Sequence, residues 1–232
     1  MNHQSRPAER EHATDELASC LSHVRWIGGG SGAGKSTVAA ALAARFGLAL
    51  HHVEPPSRFI SQTTPETAPL LHAFIGMSMD ERWVSRSPQE MYDTFHAFHG
   101  ECFDQLIAEL RDLSGRPLLV EGFSLLPRLV LPLTESRSQS IWLVPTPDFR
   151  RRAFQARGST WTIPSRTRDP ARALDNILAR DAIFTEQVRR EAERLGAQWL
   201  DVDGRLTLEQ TIERVAEALE LTHYPTASHR CG

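Results

Sequence analysis

Glycine, lysine and serine residues lie close together in residues 29–36, GGSGAGKS, and they match the spacing G-x-x-x-x-G-K-[ST]. A run so rich in glycine suits neither a core element nor a regular helix, but its main chain can approach a ligand closely. Successive inward N–H groups form an anion site, and a helix that begins beside them adds positive potential. The sequence therefore predicts that the phosphates of a nucleoside triphosphate bind here. The alternative, a glycine-rich turn that happens to contain a lysine, does not explain the flanking pattern of a strand before it and a helix after it.

Individual residues of this loop have predicted contacts. Lys35 is expected to bridge the terminal phosphates, the Ser36 hydroxyl to ligate a magnesium ion, and Thr37 to donate to the α-phosphate. ATP and Mg²⁺ are therefore the predicted cofactors. The residues predicted to contact the nucleotide are Gly29, Gly30, Ser31, Gly32, Ala33, Gly34, Lys35, Ser36 and Thr37.

Two glutamates lie at the carboxyl ends of predicted strands. Glu121 ends the strand RPLLVEG, where its apolar neighbours make an idle charge costly, so we expect it to reach the magnesium ion directly or through water. The alternative is a strand-end glutamate that faces solvent. Glu54 follows LALHHV, where a carboxylate can act as a general base. Because Pro55 and Pro56 follow it, Glu121 and the acids of the DER segment stay open as alternative bases.

Further along the chain, cationic and aromatic residues are candidates for binding an acceptor and for a lid that closes over it. Arg82 is expected to clamp an anionic acceptor and Trp83 to stack on a ring, unless Trp83 packs inside a helix-start cluster instead. Charge spreads over the equatorial oxygens during phosphoryl transfer, and late arginines can neutralise it when a lid closes. Arg157 and Arg180 are the catalytic residues predicted on this ground. Arg152 and Arg168 are the other candidates. The neighbouring arginines of this region, which are expected to be solvated at the surface, are Arg150, Arg151, Arg166 and Arg172.

The elements that must position these residues alternate along the chain. Five predicted strands, HVRWIGG, LALHHV, RPLLVEG, SQSIWLVPT and AQWLDVDG, are separated by helical patterns, which predicts a doubly wound parallel α/β sheet. Gly47 is expected to end the first helix. A largely helical stretch covers residues 67–113, with a capping box at Ser87 and Glu90. One buried helical face is predicted for Met91, Phe95, Phe98, Cys102, Leu106 and Leu110.

Composition limits the class of protein. The 232 residues include 41% hydrophobic and 24% charged residues, enough for one globular domain. The net charge of −3 disfavours nucleic-acid binding. Three scattered cysteines indicate a reducing compartment, so the predicted location is the cytoplasm. No run approaches the roughly 18 to 20 apolar residues of a membrane span.

We expect a polar extension at 1–22, the domain at 23–222 with an acceptor region at 55–116 and a lid at 150–170, and a flexible tail at 223–232.

The segment WIGGGSGAGKSTVAAALA, the buried strand ending in VEG and the late arginine-rich segment resemble the P-loop small-molecule kinases. These are the nucleoside monophosphate kinases and relatives such as shikimate, gluconate, uridine and chloramphenicol kinases. The resemblance implies a three-layer fold with a five-stranded parallel sheet in the order 2-3-1-4-5, helices on both faces and a lid. It also implies transfer of the γ-phosphoryl group of ATP to a hydroxyl, phosphate or carboxylate. Many relatives have an aspartate that orients or deprotonates the acceptor hydroxyl where this chain has Glu54, so the resemblance implies that role for Glu54.

The leading hypothesis is therefore an ATP-dependent kinase of a small molecule, in which the variable segment after the second strand selects the acceptor. A nucleotide-binding switch or regulatory protein with weak or no kinase activity is the alternative, because HHVEPP contains no clear acidic pair. The predicted partner is a small-molecule acceptor, with neither nucleic acid nor membrane. Both a monomer and a homodimer are compatible with the sequence.

Overall fold

A computed structural model describes residues 15–53, 55–113, 116–157 and 162–223. The strands are β1 (Val24–Gly29), β2 (Ala49–His52), β3 (Leu118–Glu121), β4 (Ser140–Pro145) and β5 (Gln198–Val202). The helices are α1 (residues 15–20), α2 (Lys35–Phe46), α3 (Pro69–Gly76), α4 (Met79–Trp83), α5 (Pro88–Asp93), α6 (His96–His99), α7 (Phe103–Asp112), α8 (Pro127–Val130), α9 (Pro147–Arg157), α10 (Pro170–Leu195) and α11 (Leu208–Ala218). Short 3-10 turns cover Pro56–Gln62, Leu131–Leu133, Arg137–Gln139, Pro164–Arg166 and Leu221–His223.

The five strands form one parallel sheet in the order β2-β3-β1-β4-β5. This confirms both the predicted doubly wound sheet and the strand order that the resemblance implied. Every residue of β3 and β4 is buried, because helices cover both faces of the sheet. Since β1 lies between β3 and β4, the carboxyl ends of β1 and β3 are neighbours, and this edge is where a parallel sheet of this kind binds ligands.

The core has one layer on each face of the sheet. Successive residues of β1 point to opposite faces, so Trp26 joins the layer beneath α10 and Ile27 joins the layer beneath α2 and α11. On the first face, Trp26 and Trp142 pack in the same cluster as Phe184 of α10. On the second face, Ile27 shares a cluster with Leu42 of α2. Helix α2 ends at Gly47 in the left-handed conformation, as predicted.

The single helical face predicted around Met91 to Leu110 is divided among three helices, α5, α6 and α7. The predicted capping box at the start of α5 is present, because Ser87 and Glu90 exchange side-chain and main-chain hydrogen bonds. The chain turns between α6 and α7, where Gly100 has φ +85° and Cys102 has φ +69°. The periodicity correctly predicted burial at most of these positions but not a continuous helix, since left-handed residues interrupt it.

The folded domain begins before residue 23. Residues 15–20 are helical, and Ala18 and Leu21 are buried in the core rather than part of a polar extension. Both are apolar side chains that gain free energy by leaving water. Residues 1–14 and the predicted tail from 224 lie outside the described residues. Within the described part of the chain, no helix combines the length and apolar character needed to cross a membrane.

Candidate functional site

The glycine loop joins the carboxyl end of β1 to the amino end of α2. Three of its glycines have positive φ: Gly29 at +118°, Gly32 at +79° and Gly34 at +78°. A side chain on Gly29 would collide with the main chain of Leu143 in β4, so only glycine fits there. Gly30 N–H donates to the Leu143 carbonyl at 3.0 Å. The loop is therefore held against β4 on one side while its other end leads directly into α2.

Lys35 and Ser36 occupy the first turn of α2. The Lys35 side chain is buried, and its ammonium donates to the carbonyl oxygen of Gly30 at 2.9 Å, so it spans the loop from one end to the other. A positive charge at this position, beside the N-terminus of a helix, favours a polyanionic ligand in the loop. The structure thus places the predicted lysine and the predicted glycines in one compact unit.

Glu121 connects the loop to the neighbouring strands. Its Oε1 accepts from Ser36 Oγ at 2.8 Å and lies 2.7 Å from His52 Nδ1. His52 ends β2 and is paired in register with Glu121 of β3, which brings the two side chains together. Glu121 is only 6% exposed, whereas the His52 side chain is half-exposed. The two predicted metal ligands, Ser36 and Glu121, therefore lie within hydrogen-bond distance of each other. A carboxylate and a hydroxyl supply the hard oxygen ligands that Mg²⁺ prefers.

The structure adds His52 to the residues predicted from sequence. The signal was present in the pair of histidines at the end of the second strand, but only the pairing of β2 with β3 shows which one meets Glu121. Glu54, the predicted base, lies outside the described residues.

Arg150 is a second residue that the sequence did not single out. It is 1% exposed and lies between the loop and α10. Its Nε donates to the carbonyl oxygen of Ser31 at 3.1 Å, and its Nη2 donates to Thr185 Oγ1. Burial lowers the pKa of the Arg150 guanidinium from its ordinary value, and the Asp181 carboxylate partly opposes this shift. Three consecutive arginines at 150–152 look alike in sequence, and only the direction in which each leaves α9 distinguishes them.

The two residues predicted to bind the acceptor make contacts within the fold. Arg82 donates from Nε to the Phe74 carbonyl at 3.0 Å and from Nη2 to the Ile75 carbonyl at 2.8 Å, so it closes the end of α3. Trp83 is buried, with its ring edge-on to Phe74 at 5.7 Å between centroids. This packing corresponds to the alternative interpretation of the segment as a helix-start cluster.

Arg180, predicted to be catalytic, lies on α10 within an aromatic cluster. Its Nε and Nη2 donate to Asp181 Oδ1 at 2.9 and 2.6 Å. The centre of its guanidinium lies 4.6 Å from the Phe95 ring, 5.0 Å from Trp83 and 5.2 Å from Phe98. Its third nitrogen, Nη1, is buried without a hydrogen-bond partner among the described residues. Arg157 ends α9, and its side chain lies outside the described part of the chain, as do residues 158–161 of the predicted lid.

His96 is a buried and strongly perturbed titratable group within this aromatic cluster. Burial, together with the positive charges of Arg180 and Arg82, lowers the pKa of His96 to about 4. Its ring stacks on Phe95 with centroids 4.7 Å apart. At neutral pH the imidazole is therefore uncharged and forms part of the aromatic packing around Arg180.

The predicted acceptor region, residues 55–116, is attached to α10 and to the segment that precedes it. Asp80 accepts from the Arg168 main-chain N–H at 2.8 Å, and its other oxygen lies 3.6 Å from Arg168 Nε. Asn176 of α10 donates to the Trp83 carbonyl at 3.1 Å. Helix α10 therefore contacts the acceptor region through Asn176 and Arg180 and the glycine loop region through Thr185.

The glycine loop joins β1 to α2, and β1 is the central strand of the sheet β2-β3-β1-β4-β5. The chain therefore has the three-layer fold, with a five-stranded parallel sheet and a glycine loop after β1, that the resemblance implied. No protein family model matches it, and no curated protein matches it either. The solved structures that are similar to this chain include two that match over 85% of it, both with a TM-score of 0.41. One is a shikimate kinase from Bacteroides thetaiotaomicron, 13% identical and covered over 98% of its length. The other is an uncharacterized protein from Eubacterium ventriosum, 12% identical and covered over 97%. At such low identity, neither structure indicates a substrate for this chain.

Proposed function

We propose that this protein is an ATP-dependent phosphotransferase that moves the γ-phosphoryl group of Mg-ATP to a small-molecule acceptor. The observation that carries the proposal is the convergence of Lys35, Ser36 and Glu121 at the adjoining carboxyl ends of β1 and β3. An ammonium that spans the glycine loop and an oxygen pair beside it are the groups that a nucleoside triphosphate and its metal ion require. Ser36 and Glu121 would hold the Mg²⁺, which when bound neutralises charge on the phosphates.

The remaining acids of the site differ in their freedom to accept a proton. Glu121 Oε1 is already within hydrogen-bond distance of Ser36 and His52, which favours a holding role. Asp80 accepts from the Arg168 main chain, and Glu81 accepts from the Ser78 main chain in a capping box. Glu54 therefore stays our proposed base, since it lies two residues after the end of β2 in the sequence. In this proposal the chain accelerates transfer by positioning both substrates and by stabilising charge.

Arg180 gives a reason to favour acceptors with an anionic group. Its Nη1 is a buried donor without a partner in the described part of the chain. An unsatisfied buried donor typically costs about 1–3 kcal/mol, and a carboxylate or phosphate on the acceptor would offset that cost. Asp181 already orients the guanidinium through Nε and Nη2, so the two N–H groups of Nη1 are left to donate to a ligand.

ADP release measured with Mg-ATP and a panel of hydroxy acids, sugars, nucleosides, aminoglycosides and phenicols tests the proposal. A kinase shows ADP release that depends on one acceptor class, and mass spectrometry then finds that acceptor with one added phosphate. Slow release that no acceptor accelerates would support the regulatory alternative. Wild-type protein that neither binds nor hydrolyses ATP would contradict both. Lys35→Met supplies the matched inactive control, because it removes the ammonium and keeps the length of the side chain.

A further inference from the structure

Arg150 contacts a main-chain carbonyl inside the glycine loop rather than a solvent-exposed surface. Its side chain is among the largest fully buried ones in the described residues. The Nε atom donates to the Ser31 carbonyl at 3.1 Å. A side chain on Gly32 would lie 3.3 Å from Arg150 Cγ, so the aliphatic part of the arginine also packs against this peptide. Arg150 therefore touches the peptide unit between Ser31 and Gly32 through both its polar and its apolar atoms.

This contact determines how one loop amide is oriented. In a planar trans peptide the C=O and N–H bonds point in opposite directions. When Arg150 holds the Ser31 carbonyl, the N–H of Gly32 must therefore point away from Arg150 and across the loop. Gly32 has φ +79°, and glycine crosses easily between backbone conformations, so without such a contact this peptide can turn over at little cost.

The opposite end of the guanidinium is held by α10. Arg150 Nη2 donates to Thr185 Oγ1, and the same hydroxyl donates to the Asp181 carbonyl at 2.7 Å. A side chain on Gly30 would lie 2.5 Å from Thr185 Oγ1, so this threonine also packs against the loop. The planar guanidinium thus donates in two directions at once, to the loop and to α10, which the single ammonium of a lysine reproduces poorly.

We propose that Arg150 is a positioning residue that keeps the Ser31–Gly32 peptide oriented with its N–H toward the phosphates of the nucleotide. This inference rests on the proposed nucleotide site and is independent of phosphoryl transfer to any acceptor. It assigns to Arg150 a different role from that of the arginines predicted to close over the transferring phosphate. Its consequence is that the loop is preformed before the nucleotide binds.

The test compares Arg150→Met and Arg150→Lys with the matched control Arg151→Met. Arg151 lies on the same helix, is exposed, and pairs only loosely with Asp175 at 3.7 Å. Calorimetry gives the dissociation constants for Mg-ATP and for tripolyphosphate, which probes the loop without a base. Hydrogen exchange of the nucleotide-free proteins follows the amides of Gly30 and Ala33, which donate to Leu143 and Gly30 carbonyls.

Losing an orienting bond from a charged donor should weaken both ligands by about tenfold or more in Arg150→Met. Arg150→Lys should have intermediate affinities for both ligands, and the affinities of Arg151→Met should stay within about twofold of those of wild type. The two loop amides should exchange faster in both Arg150 variants, whether or not a nucleotide is present. A purely structural role would lower the melting temperature of these variants and leave the tripolyphosphate affinity and the loop exchange of the folded protein unchanged.

A folded Arg150→Met that binds tripolyphosphate as wild type does, with unchanged loop exchange, would overturn the inference. If that variant does not fold, the same affinity and exchange measurements on Arg150→Lys and Thr185→Val test the inference. Thr185→Val removes the oxygen that holds Arg150 Nη2. If the wild-type protein binds neither ATP nor tripolyphosphate, the proposed function fails, and the positioning role toward phosphates is overturned with it. If binding is present but no acceptor is phosphorylated, only the kinase proposal fails.

Discussion

Replacing Lys35 with methionine should remove most of the affinity for ATP while the protein stays folded. Lys35 is 8% exposed, and its ammonium donates to Gly30 at 2.9 Å. A hydrogen bond from a charged group contributes about 1.5–3 kcal/mol to stability, and relief from burying an ammonium offsets part of that loss. Methionine keeps the apolar stem in place. We therefore expect the free energy of unfolding to change by only about 1 kcal/mol.

The effect on the nucleotide is expected to be larger. Removing one partner from a buried, hydrogen-bonded charge pair costs about 2–5 kcal/mol, because the other charge is then left unpaired. The dissociation constant for Mg-ATP should therefore rise by about 30-fold to 5000-fold. Calorimetric titration with Mg-ATP gives this ratio, and urea denaturation of the same samples shows that the variant is folded. A folded Lys35→Met that binds Mg-ATP within about threefold of wild type would refute the assignment of Lys35 to the phosphates.

Two further predictions concern stability. Gly29→Ala should lower the free energy of unfolding by about 4 kcal/mol or more, because its side chain would meet the main chain of Leu143. Gly34→Ala has open space around the new side chain, so it should lower the free energy of unfolding only by the left-handed strain of about 1–2 kcal/mol. Thermal denaturation compares the two variants, and equal losses would contradict this account of the loop. His96 has a pKa of about 4 in the folded protein and an ordinary value of 6.5, so the unfolded chain takes up its proton first as the pH falls. The free energy of unfolding should therefore drop by about 2 kcal/mol from about pH 7 to pH 5. Urea denaturation at several pH values should show that His96→Phe removes this part of the pH dependence. A pH dependence identical to that of wild type would show that His96 is not its source.

Helix α10 links the two halves of the proposed site. Arg180 on its acceptor side and Thr185 on its loop side are five residues apart, and Asp181 contacts both. Its first residues follow the Arg168 segment that is bound to Asp80. A change in the position of this helix would therefore reach the glycine loop through Arg150 and the aromatic cluster through Arg180, and this is why variants on α10 should be assayed for both ligands.

Sequence alone determined the features that depend on neighbours a few residues apart. The glycine loop, the left-handed end of α2 at Gly47 and the capping box at Ser87 all belong to this class. In each of them, the residue types that define the feature also form its hydrogen bonds or permit its backbone conformation. The five strands and their burial followed from short apolar runs between helical patterns, and the strand order followed from a resemblance carried mainly by the loop.

Only the tertiary structure decided which distant residues meet. His52 reaches Glu121 because β2 pairs with β3, and Arg150 reaches Ser31 because α9 packs against the loop. Neither of these contacts leaves a local periodicity in the chain. A side chain's neighbours across a sheet or between layers are set by long-range packing, and spacing along the sequence carries no information about them.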